Sequence, residues 1–257
     1  MIEVIDLHKS FNGNEVLKGI NFSLEQGEVM ALIGRSGYGK SVLLKHVVGL
    51  LKADQGKVFI EGDDIGRSRG RALEQLRKRF GFLFQGGALF DSMTVFDNIA
   101  FPLREKTHMS KGKIRERILS ELEQVGLSGA ENKFPAELSG GMKKRVALAR
   151  CLVMDPEIML FDEPTTGLDP ITATSINQLI KDTHDRLKFT GIMITHDISQ
   201  ILSMVQKVAM LNDGRIEVMG TPDEIRASKN PLLKQFIDGS MGLPINTLEK
   251  GKGDEKV

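Results

Sequence analysis

Five apolar runs in this chain stop abruptly at a polar residue or a glycine. "VMALI" ends at Gly34, "FGFLF" at Gln85, "IMLF" at Asp162 and Glu163, "IMIT" at His196, and "VAML" at the turn Asn212–Gly214. Continuous rather than alternating apolar runs predict parallel strands buried on both faces. Ligands of open α/β sheets bind beyond the carboxyl ends of their strands, and the first four runs deliver their polar residues to that edge. The turn "NDG" between "VAML" and "IEVM" predicts a closing hairpin. The N-terminal "MIEVIDLHKSF" alternates as a strand does, and is no signal peptide.

The period changes between Gln85 and Asp162. Ser110 is placed to cap a helix that carries Ile114, Ile118, Leu122 and Val125 on one face. A second helix begins near Ser139, and an earlier one is expected over "SVLLKHVVGLL", residues 41–51. The fold class is therefore α/β, with a mainly helical subdomain over about 86–156 inserted in the core. The expected division is a main domain over 1–230, an extension over 231–248 and a disordered charged tail over 249–257.

Composition narrows the class. A chain of 257 residues is long enough for one large domain and a real core. Its 35 basic and 34 acidic residues leave a net charge of +1, so no electrostatic case exists for nucleic acid as a partner. Cys151 is the lone cysteine, which forms no internal disulfide and no metal framework; amid apolar neighbours it reads as a buried, inert thiol in a cytosolic setting. No apolar run approaches the roughly 18 residues of a membrane helix, because "SVLLKHVVGLL" is interrupted by Lys45 and His46. A membrane role has to come through a partner.

"GRSGYGKS", Gly34 to Ser41, lies between a buried strand and a helix, the context that identifies a phosphate loop. Backbone N–H groups from Gly34, Arg35, Ser36, Gly37, Tyr38 and Gly39 through Val42 are placed to wrap phosphate oxygens. Lys40 reaches the β- and γ-phosphates, and Ser41 offers its hydroxyl to Mg²⁺. Asp162 is the candidate second magnesium ligand. Glu163, one residue on, is placed as general base for an attacking water. His196 is a candidate contact to the γ-phosphate; a purely structural histidine is the alternative. A second glycine pair, Gly140 and Gly141 after Ser139, opens another helix whose N-terminus suits an anion.

Together these motifs resemble those of the ATP-binding cassette (ABC) ATPases over nearly the whole chain. In that family "LSGG" is the signature motif. The resemblance implies that two copies pair head to tail, with Ser139, Gly140, Gly141 and Met142 of one facing the ATP held by the other. It further implies that Phe11 stacks on adenine, the alternative being a core residue, and that Val16 flanks the sugar. Gln85 resembles the loop glutamine that contacts Mg²⁺, and Asp169 of "GLDP" the residue that crosses the dimer interface. Met142 departs from the usual glutamine. The implied cofactors are ATP and Mg²⁺, and the implied activity is ATP hydrolysis coupled to transport.

Val42, the signature methionine and the end "LLKQFIDGSMGLPI" are similar to ATPase subunits of bacterial lipid-trafficking systems that work with Mce/Mla-type lipid-binding proteins. That likeness implies a permease dimer as direct partner, an Mce-type protein as an indirect one, and a peripheral place on the cytoplasmic face of the inner membrane. An importer ATPase for amino acids or other small solutes is the competing reading. Long coiled coils, as in DNA-maintenance cassettes, and a second cassette, as in translation-associated ones, are absent from the sequence. Leu89, Phe90, Met93 and Phe96 either seat a helix of the permease or pack internally. The segment from Gln235 to Ile245 is expected to pack on the partner ATPase, so that truncation after Ser228 weakens dimerisation but spares the monomer; the alternative is that Phe236 and Ile237 end the last helix on their own subunit.

Overall fold

The computed structural model describes residues 2–240. In chain order its elements are β1 (Ile2–Phe11), β2 (Asn14–Leu24), β3 (Val29–Ile33), α1 (Lys40–Val47), β4 (Gln55–Ile60), β5 (Asp63–Asp64), α2 (Gly70–Lys78), β6 (Phe80–Leu83), α3 (Val95–Lys106) and α4 (Lys111–Gln124). A short 3₁₀ turn (Pro135–Glu137) precedes α5 (Gly140–Leu152), β7 (Ile158–Asp162), α6 (Pro170–Leu187), β8 (Thr190–Ile194), α7 (Ile198–Ile201), β9 (Lys207–Asn212), β10 (Arg215–Gly220), α8 (Pro222–Ala227) and α9 (Pro231–Ser240).

The five apolar runs, with the hairpin strand that follows the last of them, become one six-stranded sheet, ordered β10-β9-β3-β8-β7-β6. Every pairing from β9 to β6 is parallel, and β10 closes the edge antiparallel to β9 with Arg215 opposite Asn212. Strands β3, β7 and β8 are buried at every position. Met30 and Leu32 face one core while Val29, Ala31 and Ile33 face another, which is why the runs show no alternation. Edge strand β6 alternates between buried and half-buried residues.

A second sheet, β2-β1-β4-β5, is antiparallel. Alternation of the N-terminal segment predicted β1, but the pairing with β4 across some fifty residues has no local signature. Leu43, Leu44 and Val47 of α1 join Ile2, Leu7 and Ile20 of this sheet and Leu32 and Ile194 of the other in one cluster, so the helix after the phosphate loop lies between the sheets. That helix is shorter than expected. It stops at Val47, where the Gly49 N–H donates to His46 O (2.9 Å) and the Leu50 N–H to Lys45 O (2.8 Å), a Schellman closure.

Helices α3, α4 and α5 share their own cluster, which includes the expected Ile114, Ile118, Leu122 and Val125. Ser110 caps α4 and Ser139 caps α5. Among the described residues no helix is long and apolar enough to cross a membrane.

The C-terminal expectation is corrected for the described part. Leu233 of α9 is fully buried in the core beneath the parallel sheet, and Phe236 and Ile237 pack against that same core of their own chain. A truncation after Ser228 would therefore open the monomer, not spare it. Met241, Leu243 and Ile245 lie outside the described residues. Leu233→Ala is expected to lower the unfolding free energy by about 2–5 kcal/mol through the cavity it leaves. Urea denaturation checks this, and an unchanged midpoint would show that α9 is not seated.

Candidate active site

The site assembles at the carboxyl ends of β3, β7 and β8, where three buried strands release the chain together. After Ile33 the backbone turns through Gly34 (φ +141°), where a Cβ would sit 2.1 Å from Leu211 O; no other residue fits there. Arg35, Ser36 and Gly37 are exposed, Tyr38 and Val42 half-buried, and Gly39 and Lys40 buried. Gly39 is the N-cap of α1, with no side-chain cap on the first turn. The open N–H groups of that turn face the loop, the arrangement that receives phosphate.

Lys40 Nζ folds back on its own loop, donating to Gly34 O (2.7 Å) and Arg35 O (2.8 Å). Burial lowers its pKa, opposed by the nearby Glu163 and Asp162. Ser41 Oγ donates to Asp162 Oδ1 at 3.0 Å, joining two residues 121 positions apart. Burial pushes the Asp162 carboxyl above the usual carboxylate range; the Ser41 bond pulls it back, and Glu163 raises it further. A divalent cation beside these two oxygens would relieve that cost, and Mg²⁺ takes one or two carboxylates with the rest of its shell from water and phosphate. The residues present thus fit Mg-ATP.

Glu163 has φ +50°, a left-handed conformation strained for a residue with a Cβ. Its N–H is fixed by Ile194 O of β8 (3.1 Å). Its carboxylate accepts from Thr166 Oγ1 (2.7 Å) and, at 3.4 Å, from Gln85 Nε2. Backbone and side chain are both held, so the carboxylate is aimed. His196 is exposed just past β8, and lines a cavity with Arg35, Asn212 and Phe236.

Phe11 is 40% exposed at the end of β1, with Lys9 Nζ 5.3 Å from its ring centroid, so it is no core residue. Val16 is half-buried and lies against Gly39. Val16 thus borders the phosphate loop.

Signature and phosphate loops are not joined: among the described residues no hydrogen bond or ion pair links Ser139–Met142 to Lys40 or Ser41. Ser139 is exposed, and its Oγ accepts from Met142 N (3.3 Å). A Cβ on Gly141 would meet Thr172 Cγ2 at 2.5 Å, so the glycine lets α5 approach α6. Met142 is half-buried against the helical cluster, an apolar role for a position where glutamine is usual. Asp169 caps α6 by accepting from Thr172 N (3.0 Å), a bond that holds its carboxyl below the usual range. Cys151 donates to Phe82 O, and burial pushes its thiol up to about 11, which leaves it inert at neutral pH.

Thr166, Lys144 and Arg150 were not legible as site residues. Thr166 fixes Glu163. Lys144 Nζ donates to Gln85 O, and Arg150 to Gly87 O and Ala88 O (2.7 and 2.8 Å). The available signal was a lysine on the apolar face of α5, one turn before the buried Ala147.

A second feature is an apolar groove of about 510 Å³ between β6 and α3. Phe82, Phe84, Phe90, Phe101 and Cys151 line it. Phe90 and Phe101 are 42% and 38% exposed, with ring centroids 5.1 Å apart. Of the four expected residues, Leu89 and Phe96 pack inward, Met93 is half-buried, and Phe90 reaches the groove. The fully buried Asn98 accepts from Phe90 N and donates to Phe90 O, Met93 O and Thr94 O, pinning this segment.

Phosphate loop, acid pair and signature helix in this order define an ATPase of the transporter type. The ABC transporter family profile matches residues 17–166, and the chain belongs to that family. It is an ATP-binding cassette ATPase, and its activity is hydrolysis of ATP coupled to transport. The chain is 41% identical over 249 residues to the "probable ribonucleotide transport ATP-binding protein mkl" of Mycobacterium leprae, covering 97% of this chain and 72% of that protein. It is 40% identical over 245 residues to the "intermembrane phospholipid transport system ATP-binding protein MlaF" of Haemophilus influenzae, covering 95% of this chain and 93% of that one. Among solved structures, a dimeric ATP-binding cassette in a post-hydrolysis state with ADP and Pi superposes with a TM-score of 0.80 at 31% identity, covering 86% of this chain and 99% of that one.

Proposed function

We propose that this chain powers phospholipid movement between bacterial membranes, as the ATPase subunit of a transporter whose permease docks in the groove beside β6. The observation that carries the enzymatic half is the contact of Ser41 with Asp162 beside the restrained Glu163. The lipid half rests on the likeness to MlaF over nearly the full length of both chains. The likeness to mkl supports a nucleotide cargo instead, and the same experiment separates them.

In this reading Lys40 and the backbone N–H groups of Gly34 to Val42 bind the β- and γ-phosphates, while Phe11 and Val16 hold adenine and ribose. Ser41, Asp162 and Gln85 hold Mg²⁺, which when bound supplies charge neutralisation at the phosphates. Glu163 accepts the proton of the attacking water, and Thr166 keeps its lone pair directed. His196 donates to the γ-phosphate. Two copies pair head to tail, a reading supported by the dimeric state of the solved cassettes this chain resembles, so that Ser139 and the glycines of the partner subunit cap the nucleotide and Asp169 lies at the interface. Most of the rate then comes from positioned charge and not from covalent chemistry.

We read residues 1–230 with α9 as the ATPase domain and 86–156 as its helical subdomain, because α3 to α5 have their own core. Peripheral attachment at the inner cytoplasmic face follows from the permease, and an Mce-type protein would receive or supply lipid on the far side.

Reconstitution with the permease in proteoliposomes tests the cargo. Labelled phospholipid should move only with Mg-ATP, and movement of ribonucleotide without lipid would favour the other cargo. Phe101→Asp should leave ATP binding unchanged and abolish co-purification with the permease, since an uncompensated charge in an apolar docking site costs several kcal/mol. Retained co-purification would place the permease elsewhere.

A further inference from the structure

The acid pair is flanked by two lysines from two helices. Lys40 is the first residue of α1, and Lys144 lies in the second turn of α5, the helix capped by Ser139. Both are 7% exposed. For both, burial lowers the pKa while Glu163 and Asp162 draw it up. Lys40 is absorbed by the phosphate loop, whereas Lys144 has no role in the mechanism above.

What Lys144 holds is the main chain of Gln85. Two further carbonyls of that loop, Gly87 O and Ala88 O, accept from Arg150 one and a half turns along the same helix. Ala147, between them, is met at 3.3 Å by a Cβ built on Gly87. The loop therefore lies along one face of α5, held by two cations. Gln85 meanwhile extends its amide toward Glu163 of the α/β core. A buried ammonium opposite a carbonyl is costly unless the charge-assisted bond is well formed.

We infer that Lys144 is a positioning residue that fastens the Gln85 loop to the signature helix, so that the placement of Ser139 against a partner's nucleotide and of Gln85 beside Glu163 are set by one rigid piece. This rests on the assignment of Gln85 to Mg²⁺ made above. Lys144 lies only about one and a half turns beyond Ser139 on α5, so a shift of the α5 N-terminus reaches Gln85 directly. Arg150 anchors the far side of the loop, which makes Lys144 the contact nearest the chemistry.

The test is steady-state hydrolysis by the full-length chain with Mg²⁺ titrated at saturating ATP. Lys144→Met keeps the length and removes the donor. It should lower kcat about tenfold, the loss expected for one charge-assisted bond expressed in the transition state, and raise the Mg²⁺ needed for half-maximal rate severalfold. Binding of a fluorescent ATP analogue without Mg²⁺ should stay within about twofold, because the phosphate loop is untouched. In a Gln85→Ala background the same substitution should cost less than about twofold, since what Lys144 positions for the chemistry, the Gln85 side chain, is then already gone. Should Lys144→Met fail to fold, Lys144→Gln, which retains an N–H donor, carries the same cycle with a smaller loss. Unchanged kcat and Mg²⁺ dependence, or a full additional loss in the Gln85→Ala background, would overturn the role of Lys144 alone. Wild-type hydrolysis by Gln85→Ala would overturn the assignment of Gln85, and the inference with it.

Discussion

Glu163→Gln is expected to bind ATP as the native chain does while losing hydrolysis by about 10²–10⁴-fold, the range for removal of a general base. The amide keeps the shape of the carboxylate and still accepts from Thr166 Oγ1, so the strained backbone and its bond to Ile194 O stay in place. What disappears is the ability to take a proton from water. One negative charge beside the phosphates also goes, so the ATP-bound dimer should outlast that of the native chain. Size-exclusion chromatography with Mg-ATP reads the dimer, and phosphate release reads the chemistry. A variant that hydrolyses at the native rate and never dimerises would remove Glu163 from the mechanism.

Mixing two inactive variants should restore hydrolysis. Lys40→Ala removes the ammonium that Gly34 O and Arg35 O hold, and with it roughly 10²–10³-fold in rate. Ser139→Arg places bulk and positive charge at the exposed N-terminus of α5, against the helix dipole, and should block closure on the partner. In a heterodimer of the two, one composite site carries both lesions and the other carries neither. Hydrolysis should reappear in purified heterodimers, with one intact site sufficing. If phosphate loop and signature acted within one subunit, every site would hold a lesion. Persistent inactivity in verified heterodimers would then count against the head-to-tail arrangement.

The separation of Ser139 from Lys40 within one chain is what makes this second experiment informative. It also shows where reading the chain linearly reaches its limit. The phosphate loop, the acid pair and the signature glycines are each contiguous, and covalent adjacency alone places Lys40 beside Ser41 and Asp162 beside Glu163. Burial on both faces made β3, β7 and β8 visible as unbroken apolar runs, and capping chemistry marked Ser110 and Ser139. By contrast β6, half-buried at the edge, was over-extended to Phe84. The helix after the phosphate loop was drawn through Gly49, although the left-handed glycine (φ +70°) closes it there, and a Cβ at that position would meet Ile65 at 2.9 Å.

The motifs and the existence of the buried strands were thus largely determined by the chain itself, because a glycine-rich loop before a helix and a strand buried on two faces are written in neighbouring residues, whereas the order of the strands was not. Tertiary structure alone decided that Leu233, Phe236 and Ile237 belong to their own core, that Phe101 completes a groove with Phe90, and that Lys144 holds Gln85. Each of these joins residues from different elements, and apolar or charged side chains look the same along the chain whether they cover a partner, a neighbouring helix or a single carbonyl. Which surface they meet is settled only by the packing that excludes water from it.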